Sequence, residues 1–246
     1  MYNFNQHWDE NWQSETSLAK KKVAKEFLRP VFNYLNHASH PLHILDAGCG
    51  DGVHAEVLSE YSSTHRFIGV DISVPALARA QEKNLSNWKF EIADLSKLPY
   101  GDDTYDISFS FGVLGYTDNP AQSFRELCRV TKKGGLIGLW VCPRRRDLLG
   151  LVFSGVRKIC SALGPDATKR IADCIVPFLG ALPTRSKISL RNSTWKQCRE
   201  IVLVNIAPPT LYFFKPSEIE NWFAKSSVDT IEKSYSAPIT VWGIKC

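Results

Sequence analysis

Three glycines at alternate positions follow a short apolar segment near residue 45. The run Ile44–Gly52 reads ILDAGCGDG, with glycine at Gly48, Gly50 and Gly52. Glycines let a strand turn tightly into a helix and let a ligand approach the backbone. The first N–H groups of such a helix favour a carboxylate or a phosphate. The run therefore predicts a ligand-binding turn.

The spacing of these glycines differs from that of a dinucleotide site. A dinucleotide fingerprint has the order Gly-x-Gly-x-x-Gly, so that a pyrophosphate fits over the end of the helix. Here the third glycine, Gly52, comes one position early, and Val53 occupies the position where the fingerprint needs glycine. An acid, Asp46, also precedes the turn. The pattern counts against NAD as the ligand.

Acidic residues end the next two predicted strands. Asp71 closes the apolar run 67–71, and Asp94 follows the run that begins at Trp88. A carboxylate at the first place can accept both hydroxyls of a ribose, and one at the second can accept from the exocyclic amine of adenine. The carboxyl ends of parallel strands meet at one crevice, so we expect Asp46, Asp71 and Asp94 to converge there.

Apolar runs alternate with helical patterns along most of the chain. The predicted strands are Leu42–Asp46, Arg66–Asp71, Trp88–Ala93, Asp106–Phe111, Leu136–Cys142, 228–234 and 239–245. The predicted helices are 18–36, 52–61, 74–84, 120–131 and 216–225. Pro30 can kink the first of them. The stretch 132–135 is predicted to be the basic last turn of the helix at 120–131, followed by glycine stop signals. This alternation predicts a parallel α/β sheet with helices on both faces.

Length, charge and cysteine content narrow the class further. At 246 residues the chain suits one large domain with an insertion. Residues 143–199 carry twelve Lys and Arg against three Asp and Glu, which suggests an anionic partner for this block. Seven cysteines without a Cys-x-x-Cys pair argue against structural zinc and a disulfide framework. The polar start and the lack of a long apolar run lead us to expect a cytoplasmic protein.

With these motifs in place, the sequence resembles the class I S-adenosylmethionine-dependent methyltransferases. The resemblance rests on Ile44–Gly52, 70–72, 93–95, Tyr105–Leu114 and Leu127–Trp140. It implies a doubly wound, mostly parallel seven-stranded sheet with S-adenosylmethionine as cofactor. The implied organisation is an N-terminal helical lid at 1–40, a cofactor-binding α/β domain at 41–142 and 209–246, and a basic helical cap inserted at 143–208.

The resemblance also assigns roles to individual positions. Gly48 and Gly50 would pack against the methionine part and the ribose, Asp71 would hold the ribose and Asp94 the adenine. Asp46 would support the loop and the amino end of the cofactor, and Phe111 would lie near the sulfonium. The full implied set of cofactor-binding residues is Asp46, Ala47, Gly48, Cys49, Gly50, Asp71, Ile72, Asp94, Leu95 and Phe111.

A catalytic base is not identified by the sequence. Quinone-methylating relatives often carry His-His after Gly-Val-Leu, whereas Gly115 and Tyr116 stand here. Enzymes that methylate the amino groups of adenine or glutamine carry Asn/Asp-Pro-Pro-aromatic at that place, and this chain does not. Transfer to oxygen is therefore favoured over transfer to a nucleobase nitrogen. The weak candidates for a base are His54, Tyr116 and His7. No metal is implied, because the acids are dispersed rather than clustered.

The basic block leaves the acceptor open among several classes. Arginines 144–146 are followed by apolar residues between 148 and 163, a combination that suits an interfacial helix. We expect a small or lipid-like acceptor with an anionic group, and peripheral membrane contact through 143–199. An RNA substrate is the second class, disfavoured because no aromatic-glycine RNA motif or separate binding domain is present. A non-catalytic fold relative that assists another enzyme is the third. The oligomeric state stays unassigned.

Overall fold

The computed structural model describes residues 17–61, 63–144, 148–179, 195–208, 210–235 and 238–246. The chain divides into two compact units. One is an α/β unit formed by 16–144 and 212–246, and the other is a helical unit that contains 145–211. Parts of the predicted segments lie outside the described residues, namely the start of the lid at 1–16 and the stretches 145–147 and 180–194 of the cap.

Seven strands form one sheet in the α/β unit. They are β1 (His43–Ala47), β2 (Arg66–Asp71), β3 (Trp88–Ile92), β4 (Tyr105–Phe111), β5 (Thr131–Val141), β6 (Val228–Ser234) and β7 (Ile239–Lys245). Their order is β3-β2-β1-β4-β5-β7-β6, with β7 antiparallel to both of its neighbours and the remaining pairs parallel. The strand order thus reverses between β1 and β4. The α/β proteins of this topology bind ligands at such a switch point. The predicted doubly wound, mostly parallel seven-stranded sheet is confirmed.

Helices cover both faces of this sheet. They are α1 (Ser17–Phe27), α2 (Arg29–Asn36), α3 (Val53–Tyr61), α4 (Val74–Gln81), α5 (Pro120–Val130) and α9 (Pro216–Lys225). The first three contribute Phe27, Val31 and Leu58 to the core on one face, whereas α5 and α9 contribute Phe124 and Phe223 to the core on the other. Burial of these side chains on both sides explains why the strands are apolar almost throughout.

The predicted helix at 18–36 is two helices. The chain leaves α1 at Phe27 and begins α2 at Arg29, with Pro30 in the first turn of the new helix. Proline has no N–H to donate, and the first turn of a helix is the place where that loss costs least. The proline therefore starts a second helix instead of bending a single one.

The predicted basic last turn at 132–135 is wrong. Helix α5 ends at Val130, and β5 already begins at Thr131, which pairs with Tyr105 before the register shifts to the pair Ile107 and Leu136. The hydroxyl of Thr131 donates to the Leu127 carbonyl oxygen at 2.7 Å and so caps the helix. The residues that resembled a helix stop form the irregular first part of a strand.

The helical unit contains α6 (Leu148–Leu163), α7 (Pro165–Leu179) and α8 (Trp195–Ile206). These helices bury a small core of their own, made of Phe153, Cys160, Ala172, Val176, Val202, Leu203 and Ile206. No helix in the described part of the chain combines the length and the apolarity needed to cross a bilayer. The role of 143–208 as a cap stays a prediction.

Candidate active site

The glycine turn lies between β1 and α3 and has the backbone that only glycine adopts readily. Gly48, Gly50 and Gly52 have φ angles of +90°, +53° and +77°. The N–H groups of Gly48 and Cys49 both donate to the Val70 carbonyl oxygen, at 2.7 and 2.9 Å. These two bonds tie the turn to the carboxyl end of β2. The loop therefore presents bare backbone at the switch point of the sheet.

Asp71 joins the glycine turn to the next helix. One carboxylate oxygen accepts from the Gly50 N–H at 2.9 Å, and the other accepts from the Ser73 N–H at 2.9 Å. Burial raises the pKa of Asp71, while the two backbone N–H groups oppose that rise. The carboxylate is thus held in one orientation at the end of β2, with lone pairs still available for a further donor.

The end of β3 lies beside Asp71. The Ala93 N–H donates to the Asp71 carbonyl oxygen at 3.1 Å, which places Asp94 two residues beyond the strand and exposed to solvent. The Asp94 carboxylate accepts from the Ser96 N–H at 2.8 Å. Leu95 is buried, whereas Ile72, after β2, is 47% exposed. The structure therefore brings Asp71 and Asp94 to neighbouring strand ends, as their spacing predicts.

Asp46 is deeply buried near the end of β1. None of its surface is exposed, and neither carboxylate oxygen receives a hydrogen bond from the described residues. Nδ1 of His54 lies 3.3 Å from Oδ2 of Asp46. Burial, with Asp46 adding to it, raises the pKa of the Cys49 thiol well above its ordinary value. This shift disfavours the thiolate form of Cys49.

Aromatic rings gather where β4 and β5 end. The ring of Phe111 stacks on Trp140 with centroids 4.5 Å apart, and Phe27 meets Phe111 edge-on at 5.0 Å. His54 is 4.9 Å from Phe111 in the same cluster. We refer to Phe27, Phe111 and Trp140 as the aromatic wall. Sequence reasoning found Phe111 but missed the other two, because both match an ordinary apolar core pattern.

The structure describes one of the other two candidate bases. Tyr116 ends a short 3-10 turn, Leu114–Tyr116, and its N–H donates to the Val113 carbonyl oxygen at 2.9 Å. His7 lies outside the described residues. His54 is thus the candidate whose ring the structure places against a carboxylate. Within the described residues no three His, Cys, Asp or Glu side chains form a group able to hold a metal ion.

Comparison with known proteins finds methyltransferases that are similar to this chain. A family described as a methyltransferase domain matches residues 45–139, which run from β1 into β5. An uncharacterized methyltransferase of Schizosaccharomyces pombe is 34% identical over 116 residues, covering 43% of this chain and 40% of the relative. A malonyl-[acyl-carrier protein] O-methyltransferase of Legionella pneumophila is 30% identical over 119 residues, covering 47% and 42%. The chain spans about half the length of the curated relatives it matches.

A solved structure has the same α/β fold. The magnesium protoporphyrin IX methyltransferase of Synechocystis, crystallised with S-adenosylhomocysteine, has a TM-score of 0.57 at 15% identity. The match covers 99% of this chain and 93% of that one. The α/β unit therefore has the class I methyltransferase fold. Residues 45–139 match the methyltransferase-domain family, and similar named proteins include both oxygen and carbon methyltransferases.

Proposed function

We propose that this protein transfers a methyl group from S-adenosylmethionine to a small or lipid-like acceptor, preferentially on oxygen. The observation that carries the proposal is the Asp71 carboxylate, held by the N–H groups of Gly50 and Ser73 at the end of β2. A carboxylate fixed next to a glycine turn suits the paired hydroxyls of a ribose, because both can donate to it.

The other residues at the strand ends fit the remaining parts of that cofactor. The bare backbone at Gly48 and Gly50 leaves room for the chain between the ribose and the amino acid. Asp46 offers two carboxylate oxygens that the described residues leave without hydrogen bonds, which suits an ammonium group. Asp94, exposed beside Asp71, suits the adenine amine. S-adenosylmethionine supplies the electrophilic methyl group when it is bound.

Catalysis then depends on placement. Methyl transfer from a sulfonium is an in-line displacement, so holding the acceptor atom behind the methyl group accounts for most of the rate gain. In the aromatic wall the half-buried rings of Phe111 and Trp140 offer the acceptor an apolar surface, and the buried ring of Phe27 packs behind Phe111. These rings favour an acceptor with an apolar body and keep water from the reacting atoms.

Calorimetric titration tests the cofactor assignment. S-adenosylmethionine and S-adenosylhomocysteine are titrated into the wild type, Asp71→Ala and Asp71→Asn. We expect micromolar binding by the wild type and at least a tenfold loss in both variants, about 1.4 kcal/mol. Asp229→Ala is the matched control, because Asp229 lies exposed on β6 at the far edge of the sheet. A wild type that binds neither ligand would contradict the proposed function.

We further propose that the helical unit meets the acceptor at a membrane surface. Along α6, the side chains of Val152, Ile159 and Leu163 are 49%, 55% and 60% exposed, and Lys158 is exposed between them. Their spacing of seven and four residues places the three apolar side chains on one side of the helix. An apolar stripe with a cation beside it is what an interfacial helix requires.

Co-sedimentation with vesicles tests this second proposal. At low salt the protein is expected to sediment with vesicles of anionic phospholipid and not with vesicles of phosphatidylcholine alone. Ile159→Glu should lower the bound fraction severalfold. Ser154→Glu adds the same charge to an exposed position of α6 away from the stripe, and should have the smaller effect. Equal effects of the two variants, or no binding by the wild type, would contradict the membrane proposal.

A further inference from the structure

Asp46 is buried without the partners that a carboxylate needs. Its exposed fraction is 0%, and neither of its oxygens receives a hydrogen bond from the described residues. A buried charge without a counter-charge or hydrogen bonds is unfavourable, because nothing replaces the water that it has lost. A group close to Asp46 must therefore compensate for these missing partners.

His54 is the side chain that the structure places against Asp46. Its Nδ1 lies 3.3 Å from Oδ2 of Asp46, which is within ion-pair distance although the alignment is not that of a hydrogen bond. The imidazole is 8% exposed and lies among three rings, with centroid distances of 6.1 Å to Phe27, 5.7 Å to Phe109 and 4.9 Å to Phe111. This packing limits the ring to few orientations, so its approach to Asp46 is fixed by the fold.

The charged groups on the surrounding elements are paired with one another. Lys20 of α1 lies 3.9 Å from Asp51 of the glycine turn. Lys21 of α1 lies 2.6 Å from Glu56 of α3, and Lys83 also pairs with Glu56. On the side of Asp46 facing the turn, the nearby titratable groups are the Cys49 thiol and the Asp71 carboxyl, neither of which is a cation. From β4 the neighbours of His54 are the rings of Phe109 and Phe111.

We propose that His54 is a positioning residue whose ring, with Nδ1 3.3 Å from Oδ2 of Asp46, orients the Asp46 carboxylate for the ammonium group of the cofactor. This inference rests on the proposed function and adds to it the role of one side chain. His54 acts through Asp46 and does not touch the methyl group or the acceptor.

Three variants and two ligands test the role of His54. In His54→Asn the amide nitrogen can stand where Nδ1 stands, in His54→Gln it stands nearer the place of Nε2, and His54→Phe keeps a ring without a donor. S-adenosylhomocysteine carries the ammonium group, and 5′-methylthioadenosine lacks the amino-acid part. Affinities for both are measured by calorimetry between pH 6 and 8, after circular dichroism has shown that each variant is folded.

For S-adenosylhomocysteine we expect His54→Asn to bind within threefold of the wild type. His54→Gln and His54→Phe should lose at least tenfold, because neither places a polar nitrogen where Nδ1 stands. For 5′-methylthioadenosine all four proteins should bind alike. If His54→Phe fails to fold, the comparison of His54→Asn with His54→Gln carries the test.

Other results would overturn the inference. One is equal binding of S-adenosylhomocysteine by all variants, and another is an equal loss in His54→Asn and His54→Gln. A third is a parallel loss for 5′-methylthioadenosine, which would mark His54 as a structural residue of the whole site. A wild type that binds neither ligand would contradict the proposed function itself, whereas normal binding by the wild type with unchanged variants would contradict this role of His54 alone.

Discussion

Gly48 lies so close to Val113 that no side chain fits between them. A Cβ on Gly48 would stand 2.5 Å from Cγ2 of Val113. The φ angle of Gly48 is +90°, which L-residues rarely adopt. Steric contact and backbone conformation thus both require glycine at the point where the turn leaves β1. The side chain that leaves no room for a Cβ there comes from the loop after β4.

Gly48→Ala is therefore expected to lower both stability and cofactor affinity. Gly134→Ala is the matched control, because Gly134 has a φ of +74° but a Cβ added there would meet no atom within 4 Å. The control should cost only backbone strain, about 1 kcal/mol. Gly48→Ala should cost more and weaken S-adenosylhomocysteine binding at least tenfold. Thermal unfolding and calorimetry measure the two effects, and Val113→Gly added to Gly48→Ala should restore part of the binding, because it removes every Val113 atom that the new Cβ would meet.

The strands and the strand-end acids could be predicted because their signals are local. A nearly continuous apolar run followed by Asp is visible in a few residues, as at Asp71, and the structure puts these ends side by side. The start of β5 could not be predicted. A basic pair followed by two glycines is typical of a helix end, and only the pairing of Thr131 with Tyr105 decides otherwise.

The aromatic wall and the contact of His54 with Asp46 could not be predicted for a different reason. Phe27, Phe111 and Trp140 come from α1, β4 and β5, far apart in the chain. Each residue alone fits an apolar core pattern, and their meeting depends on how a helix crosses the sheet. The distance of 3.3 Å between His54 and Asp46 likewise depends on the pitch of α3 after a glycine turn with positive φ angles.

His65 should make the fold sensitive to mild acid. Its Nδ1 accepts from the Leu42 N–H at 3.1 Å, so the bond requires a neutral imidazole. Burial, with His40 nearby, lowers the pKa of His65 below its usual value. The unfolded chain then binds the proton more readily than the folded one. The stabilisation is complete above the usual histidine pKa of about 6.5 and is lost as the pH falls through the folded value.

His65→Asn checks this acid sensitivity. The Asn side-chain oxygen can accept from the Leu42 N–H in place of Nδ1, but it does not titrate. We therefore expect a flatter fall in the free energy of unfolding between pH 7 and pH 5 than in the wild type, measured by urea denaturation. His37→Asn is the control, because His37 is exposed and bonds to Asn33 within its own helix. Equal slopes for wild type and His65→Asn would contradict the prediction.

Asp106 should stabilise the fold down to a lower pH than His65 does. Its Oδ2 accepts from the His43 N–H at 2.8 Å, and its Oδ1 accepts from Nζ of Lys132 at 2.7 Å. Burial acts to raise the pKa of Asp106, but these two partners outweigh it and hold the pKa below its usual value. The stabilisation is therefore complete above the usual Asp pKa of about 3.9 and is lost as the pH falls through the folded value.

Asp106→Asn keeps the shape of this side chain and removes its charge. We expect a loss of about 2 kcal/mol at pH 7, the general range for hydrogen bonds to a buried charged group, and a smaller further loss between pH 5 and pH 3 than in the wild type. Asp118→Asn, on an exposed loop, should leave both values unchanged. Chemical denaturation at each pH gives the free energies, and an equal acid loss in wild type and Asp106→Asn would contradict the assignment.

The guanidinium of Arg157 forms hydrogen bonds inside the helical unit. Its Nε donates to the Asn205 carbonyl oxygen at 2.9 Å and its Nη1 to the Leu211 carbonyl oxygen at 3.2 Å, so one guanidinium joins α6 to the end of α8 and the segment after it. Part of the basic block is thereby structural.

Arg157→Met keeps much of the apolar stem and removes both bonds, and should lower the thermal midpoint by several degrees. Lys158→Met removes the same charge from an exposed neighbour and should leave the midpoint unchanged while weakening vesicle binding. The reverse pattern, with Lys158 controlling stability and Arg157 controlling vesicle binding, would show that the two cations had been assigned the wrong way round.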